Sequence, residues 1–132
     1  LGAAAKRVAQ PVPVWRAYAA MLQAERERAE GRDRPDLWAE ATDAFAALDR
    51  PYPLARARHR WAEALLTSGQ GASPAQADRE HAAGLLVQAY AVAEWLGARP
   101  LREEIELLAR RARLPLASAA TRPALDAALP RT

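Results

Sequence analysis

An all-α fold, with about five helices paired as antiparallel αα-hairpins in a right-handed helical repeat, is what the sequence predicts, on three observations. Of 132 residues 35 are Ala and 17 are Leu, against five Val and one Ile, so the apolar content is helix-forming and poor in the β-branched residues that strands favour. Apolar positions recur at helical spacing in five separate windows. Prolines and glycines stand between these windows and leave short turns, which make neighbouring helices antiparallel.

The first helix is expected from Val14 to about Glu30, where Trp15, Tyr18, Leu22 and Ala29 recur at spacings of three, four and seven and Gly31 follows. Its second half, Glu25-Arg26-Glu27-Arg28, is a mixed-sign run of the kind found on solvated helix faces. The second helix opens at Pro35 and Asp36, which suit the first turn, and carries Leu37, Trp38, Ala41, Ala44, Phe45 and Leu48 on one stripe. Pro51 and Pro53 close it, because neither supplies the N–H a continuing helix needs. A third helix follows from Leu54, with Ala57, Trp61 and Leu65 in line and Ala55, Ala62 and Leu66 beside them, as far as Gly69.

Gln70 to Ser73 reads as a loop, and Ser73-Pro74-Ala75-Gln76 joins a capping-box pattern to a proline at the first helical position. The fourth helix is expected there, weakly periodic to Glu80 and then strongly so through Ala82, Leu85, Leu86, Ala89, Tyr90, Val92, Ala93 and Leu96. A fifth runs from about Pro100 to Arg113 with Leu101, Ile105, Leu108 and Ala112 on one face; Glu103 and Glu104 lie early and Arg110 and Arg111 late, matching its macrodipole.

Residues 1–13 are expected to be a connector or the end of a preceding helix, residues 14–113 the helical-repeat domain, and residues 114–132 a Pro/Ala-rich linker. Each hairpin places a bulky aromatic on its first helix, Trp15 and Tyr18 in one and Trp61 in the other, and small residues on its second. The unit is near forty residues, close to the period of tetratricopeptide-like solenoids. The chain has no start methionine and is expected to be a piece of something longer.

Composition narrows the chemistry. No uninterrupted apolar run is long enough for a membrane span and no signal-peptide pattern opens the chain, so a cytoplasmic protein is expected. With no Cys there is no disulfide, thiol nucleophile or Cys-type zinc site. The two histidines, His59 and His81, fall on different helices and form no local metal pair; His59 and Glu63 read as a surface pair on a polar face. Nothing nominates an enzyme, a cofactor or a metal.

Several motifs resemble one family. Trp38-Ala39-Glu40-Ala41, Pro51-Tyr52-Pro53-Leu54-Ala55, Arg60-Trp61-Ala62-Glu63-Ala64-Leu65-Leu66 with Gly69, Leu96-Gly97-Ala98-Arg99-Pro100-Leu101, and Leu108-Ala109-Arg110-Arg111-Ala112-Arg113-Leu114 resemble, in that order, the helical repeats of large ATP-binding LuxR-type transcriptional regulators of high-GC actinobacteria. The likeness covers about Glu25 to Leu116 and departs from the family at the longer loop between Gln70 and Glu80. It implies the last tetratricopeptide-like repeats before a linker and a helix-turn-helix domain. This chain carries no G-x-x-x-x-G-K-[ST] phosphate loop and no recognisable DNA-reading helix after Leu114, so neither ATP hydrolysis nor direct specific nucleic-acid binding transfers to any residue here.

Two functional expectations follow. One is a non-catalytic regulatory and interaction segment that couples neighbouring domains of the same polypeptide or binds a protein partner. The other is a stand-alone module that grips a peptide or small effector in a concave groove, with Arg16, Arg56, Arg60 and Glu63 as its polar residues. Trp95 lies about a hundred degrees off its helix's apolar line and is expected at a contact surface with a neighbouring repeat or domain. Trp15, Trp38 and Trp61 are expected in the core. An array cut from its neighbours leaves an apolar end face, so the further expectation is either self-association through that face, giving a homo-oligomer, or Leu1 to Gln10 or the Leu114 to Leu129 tail laid across it.

Overall fold

In a computed structural model of the chain, residues 13–67 and 73–116 are described. They form five α-helices and, among the described residues, no strand: α1 Val14–Ala29, α2 Pro35–Leu48, α3 Pro51–Thr67, α4 Gln76–Leu96 and α5 Arg99–Ala112. Each helix packs on the next in chain order, most extensively α3 on α4, with a smaller contact between α3 and α5. No helix among the described residues is long and apolar enough to cross a membrane. The connector expected before Pro13, the loop expected at Gln70 and the linker expected beyond Leu116 lie outside the described residues.

The helix ends have local causes. Pro35 takes the first position of α2, where its missing N–H leaves no bond unmade, and Asp49 ends that helix in the left-handed region at φ 56°. Gly97 ends α4 at φ 69°, a conformation that glycine adopts without strain. Arg113 ends α5 at φ 60°, and the Leu114 N–H donates to the Ala109 carbonyl at 2.9 Å.

Two boundaries differ from the sequence reading. Pro51 and Pro53 do not stand between helices: both lie in the first turn of α3, where backbone N–H groups have no intrahelical partner to lose. The capping box at Ser73 is not formed. Ala75 is the N-cap of α4 and makes no side-chain cap, while the Gln76–Glu80 hydrogen bond (3.1 Å) and the Arg79 bond to the Ala112 carbonyl of α5 (3.1 Å) hold the weakly apolar first turns as helix.

The main core gathers Ala55, Ala62 and Leu65 of α3, Leu85, Leu86, Ala89, Tyr90 and Ala93 of α4, and Leu101, Ile105 and Leu108 of α5. A smaller core joins Ala24 of α1 to Leu37 and Trp38 of α2 and Ala64 of α3. Trp61 packs against both cores. Eleven of the 21 buried hydrophobic residues described are alanines, which lets the helices approach closely.

Three expectations about burial are corrected here. The stripe Trp15, Tyr18, Leu22 does not face the core: these side chains are 68%, 45% and 59% exposed, and α1 packs through Ala17 and Ala24 instead. An Ala-rich amphipathic helix offers two apolar arcs, and the arc of small residues fits the narrow space above α2 and α3. Trp61 is only half-buried, its ring edge-on to His81 at 4.8 Å. His59 sits in the interior rather than on a polar face, because α5 packs over that side of α3 and brings Glu104 to 3.9 Å from Nδ1.

Candidate functional site

Of the five side chains nominated by the sequence, three come together and two lie apart. Arg56, Arg60 and Glu63 lie on the side of α3 that faces α1, one helical turn apart or less, where they meet carboxylates and a guanidinium from α1. Arg60 Nη1 donates to Glu63 Oε1 at 2.9 Å, and Arg28 Nη2 of α1 donates to Glu63 Oε2 at 3.3 Å. Glu25 of α1 lies 3.8 Å from Arg60 and 4.0 Å from Arg56. Asp33, in the α1–α2 turn, lies 3.9 Å from Arg28 and accepts from the Trp38 indole at 2.9 Å.

Three carboxylates and three guanidiniums thus balance across the α1–α3 seam. Burial pushes the Glu63 carboxyl upward, but its hydrogen bond from Arg60 and the charge and bond of Arg28 outweigh that and hold it below its usual value. Burial dominates at Asp33 and raises it, with Glu63 repelling it and the Trp38 and Arg28 contacts opposing. Arg60 Nε is buried without a hydrogen-bond partner, 3.8 Å from Glu25, while Arg28, Glu63 and Asp33 are hydrogen-bonded, so the network holds α1, α3 and the α1–α2 turn together.

Arg16 and Trp95 are not brought to that network. Arg16 lies about three turns of α1 away from Arg28, towards the opposite end of the helix, its guanidinium 6.0 Å over the Trp15 ring. Trp95, in the last turn of α4, is 76% exposed.

A separate feature, lined by none of those five, lies at the end of the molecule where α1 begins, α2 ends, α3 begins and α4 ends. An open pocket of about 430 Å³ is lined there by Tyr18, Leu48, Asp49, Arg50, Pro51, Tyr52, Pro53 and Leu96. Tyr18 is its wall on the α1 side, standing edge-on to Phe45 at 4.9 Å. The left-handed turn at Asp49 carries the chain directly from α2 into α3, which sets Asp49 and Arg50 at the rim. Sequence reasoning did not place Arg50, Tyr52 or Leu96 in a site. The signal was there in Pro51-Tyr52-Pro53, because an aromatic between two first-turn prolines sits on a surface helix end.

The pocket adjoins the exposed arc of α1. Trp15, Tyr18 and Leu22, with Ala19 and Ala29, occupy the side of α1 opposite Ala17 and Ala24. No three His, Asp or Glu side chains among the described residues gather in a way that could hold a metal ion. No protein-family model matches the chain, and no curated protein or solved structure matches it.

Proposed function

We propose that this chain is a non-catalytic helical-repeat segment of a LuxR-type multidomain transcriptional regulator, in the cytoplasm, where it couples neighbouring domains or binds a protein partner. The observation that carries the reading is the exposed apolar arc of α1: Trp15, Tyr18 and Leu22 lie outward on the first described helix, on the side opposite the Ala17 and Ala24 face by which it packs. Repeat arrays leave such a face wherever the next repeat or a capping element belongs.

The finer architecture proposed is a tetratricopeptide-like right-handed array of antiparallel αα-hairpins. Contacts between starts and ends of consecutive helices support it. Tyr18, early in α1, meets Phe45, late in α2; Trp61, late in α3, meets His81, early in α4; Arg79, early in α4, meets the last turn of α5. Arg28 and Glu63 both lie late in their helices, as the first and third members of such an array require.

The reading is tested by the coding sequence on both sides of this segment, which should specify a phosphate-loop ATPase before it and a helix-turn-helix domain after it. Flanks that encode neither overturn it. The purified chain should show no ATP turnover, since it carries no phosphate loop; turnover that copurifies with the chain would refute the non-catalytic assignment.

A further inference from the structure

The outer arc of α1 and the adjoining pocket form one continuous surface, since Tyr18 belongs to both. Its apolar part is Trp15, Tyr18, Ala19 and Leu22 on α1, and Leu48, Tyr52, Pro53 and Leu96 around the pocket. Its charge is mainly positive. Arg16 and Arg26 on α1 and Arg50 at the pocket rim are exposed, and none of the three makes an ion pair among the described residues.

The acidic residues of α1 are turned elsewhere. Glu25 faces Arg56 and Arg60 of α3, and Glu27 and Glu30 are held by Arg32. Asp49 is the single carboxylate of the pocket. From Trp15 to Ala29 the exposed arc therefore presents an apolar ridge on which the charges without an ion pair among the described residues are Arg16 and Arg26, with Asp49 the one carboxylate beside Arg50 at its pocket end.

We propose that this surface docks an amphipathic α-helix whose apolar stripe is flanked by carboxylates. Such a helix lies along α1 over Trp15 and Leu22, with one bulky apolar side chain in the pocket beside Tyr18 and Tyr52 and acidic residues facing Arg16, Arg26 and Arg50. Helix-on-helix docking of this kind reads anchors at one-turn spacing, which is the spacing of Trp15, Tyr18 and Leu22. Charge complementarity argues against a symmetric pairing of α1 with α1 of a second copy, because Arg16 and Arg26 would then meet their own kind. The proposal rests on the reading of the chain as an interaction segment and names the class of helix it receives.

The probes are two synthetic amphipathic peptides with the same leucine stripe, one flanked by glutamate and its twin flanked by lysine. By fluorescence anisotropy the glutamate peptide should bind at least about tenfold tighter, with the advantage shrinking as salt rises. Leu22→Glu, at an exposed position, should abolish binding without altering the helical content. Arg16→Glu together with Arg26→Glu should reverse the preference between the two peptides.

Equal binding of both peptides, or binding of neither, overturns the proposal. So does retention of binding in Leu22→Glu. Concentration-dependent self-association in sedimentation that Leu22→Glu removes would make a second copy the occupant and overturn it as well. The two ideas fail separately: flanking sequence without an ATPase and a helix-turn-helix defeats the LuxR-type reading even if the glutamate peptide binds, and loss of peptide discrimination defeats the docking proposal even if both domains flank the chain.

Discussion

Arg28 and Glu63 stand 35 residues apart in sequence and 3.3 Å apart in space, and with Arg60 on the other oxygen of Glu63 they fasten the last turns of α1 to α3. Neither end of this contact is freely solvated, since the two side chains are 33% and 17% exposed. Partial burial is what distinguishes it from the pairs of Arg34 with Asp36 and Arg99 with Glu103, which lie open to water and contribute little.

Glu63→Ala removes the acceptor of both bonds and leaves the Arg28, Arg56 and Arg60 guanidiniums facing only Glu25 and Asp33. The expected loss is about 2 kcal/mol, the scale for hydrogen bonds to charged groups when one partner stays behind. Urea unfolding at pH 7 measures it. Arg34→Ala, which breaks an exposed pair, should leave the midpoint where it is; equal midpoints for the two variants would mean that the seam behaves as ordinary surface.

The four tryptophans should separate widely on replacement by alanine. Trp38 is fully buried and its indole donates to Asp33, so Trp38→Ala should lose about 3–5 kcal/mol. Trp61, half-buried between the two cores, should lose roughly half as much. Trp15→Ala and Trp95→Ala, at 68% and 76% exposure, should stay within about 0.5 kcal/mol of the parent. A destabilised Trp15→Ala would restore the stripe that periodicity suggested.

Small residues make the opposite test. Ala17 is fully buried where α1 meets its neighbours, so Ala17→Leu must force the helices apart and should lose about 1–3 kcal/mol by overpacking. Leu22→Ala, on the exposed arc, should leave stability within about 0.5 kcal/mol. Thermal melts of both variants check the assignment of faces, and a larger loss for Leu22→Ala would reverse it.

These contrasts mark what the sequence could and could not disclose. The five helices were legible because apolar spacing and the Pro35 and Gly97 boundaries express local physics. The buried faces of α2, α4 and α5 were legible too, as in Phe45, Leu86 and Ile105, because each of those helices has one arc of large apolar groups. In α1 the large groups and the small ones lie on opposite arcs, and the distance to the partner helix decides between them. His59 was misplaced for a related reason: the arginines around it read as a polar face, whereas α5 returns over that side of α3 from more than forty residues downstream. The pocket draws on four helices at once, and no single window of sequence contains it.

The interior position of His59 makes a prediction about pH. Burial is the main force that pulls its imidazole from 6.5 down to about 4, the Arg60 charge acts with it, Glu63 and Glu104 act against it, and Arg56 adds a small further push downward. In the unfolded chain the ring takes up a proton as the pH falls through about 6.5, while in the folded chain it stays neutral until about pH 4. Between those values the unfolded state binds more protons, so the folded state should lose stability as the medium is acidified, by about 3 kcal/mol over the whole interval. Glu63 works in a lower window: its depressed carboxyl contributes fully above the unfolded value of about 4.3, and that contribution fades only below it. Urea unfolding at pH 7, 6 and 5 lies above the Glu63 window, and because the raised Asp33 carboxyl acts in the opposite sense, the difference between the parent and His59→Gln isolates the histidine. His59→Gln, which cannot titrate, should flatten the decline between pH 7 and 5, while Glu63→Ala should leave that decline in place. A parent chain equally stable at pH 7 and 5 would place the His59 ring in water and contradict the packing of α5 over α3.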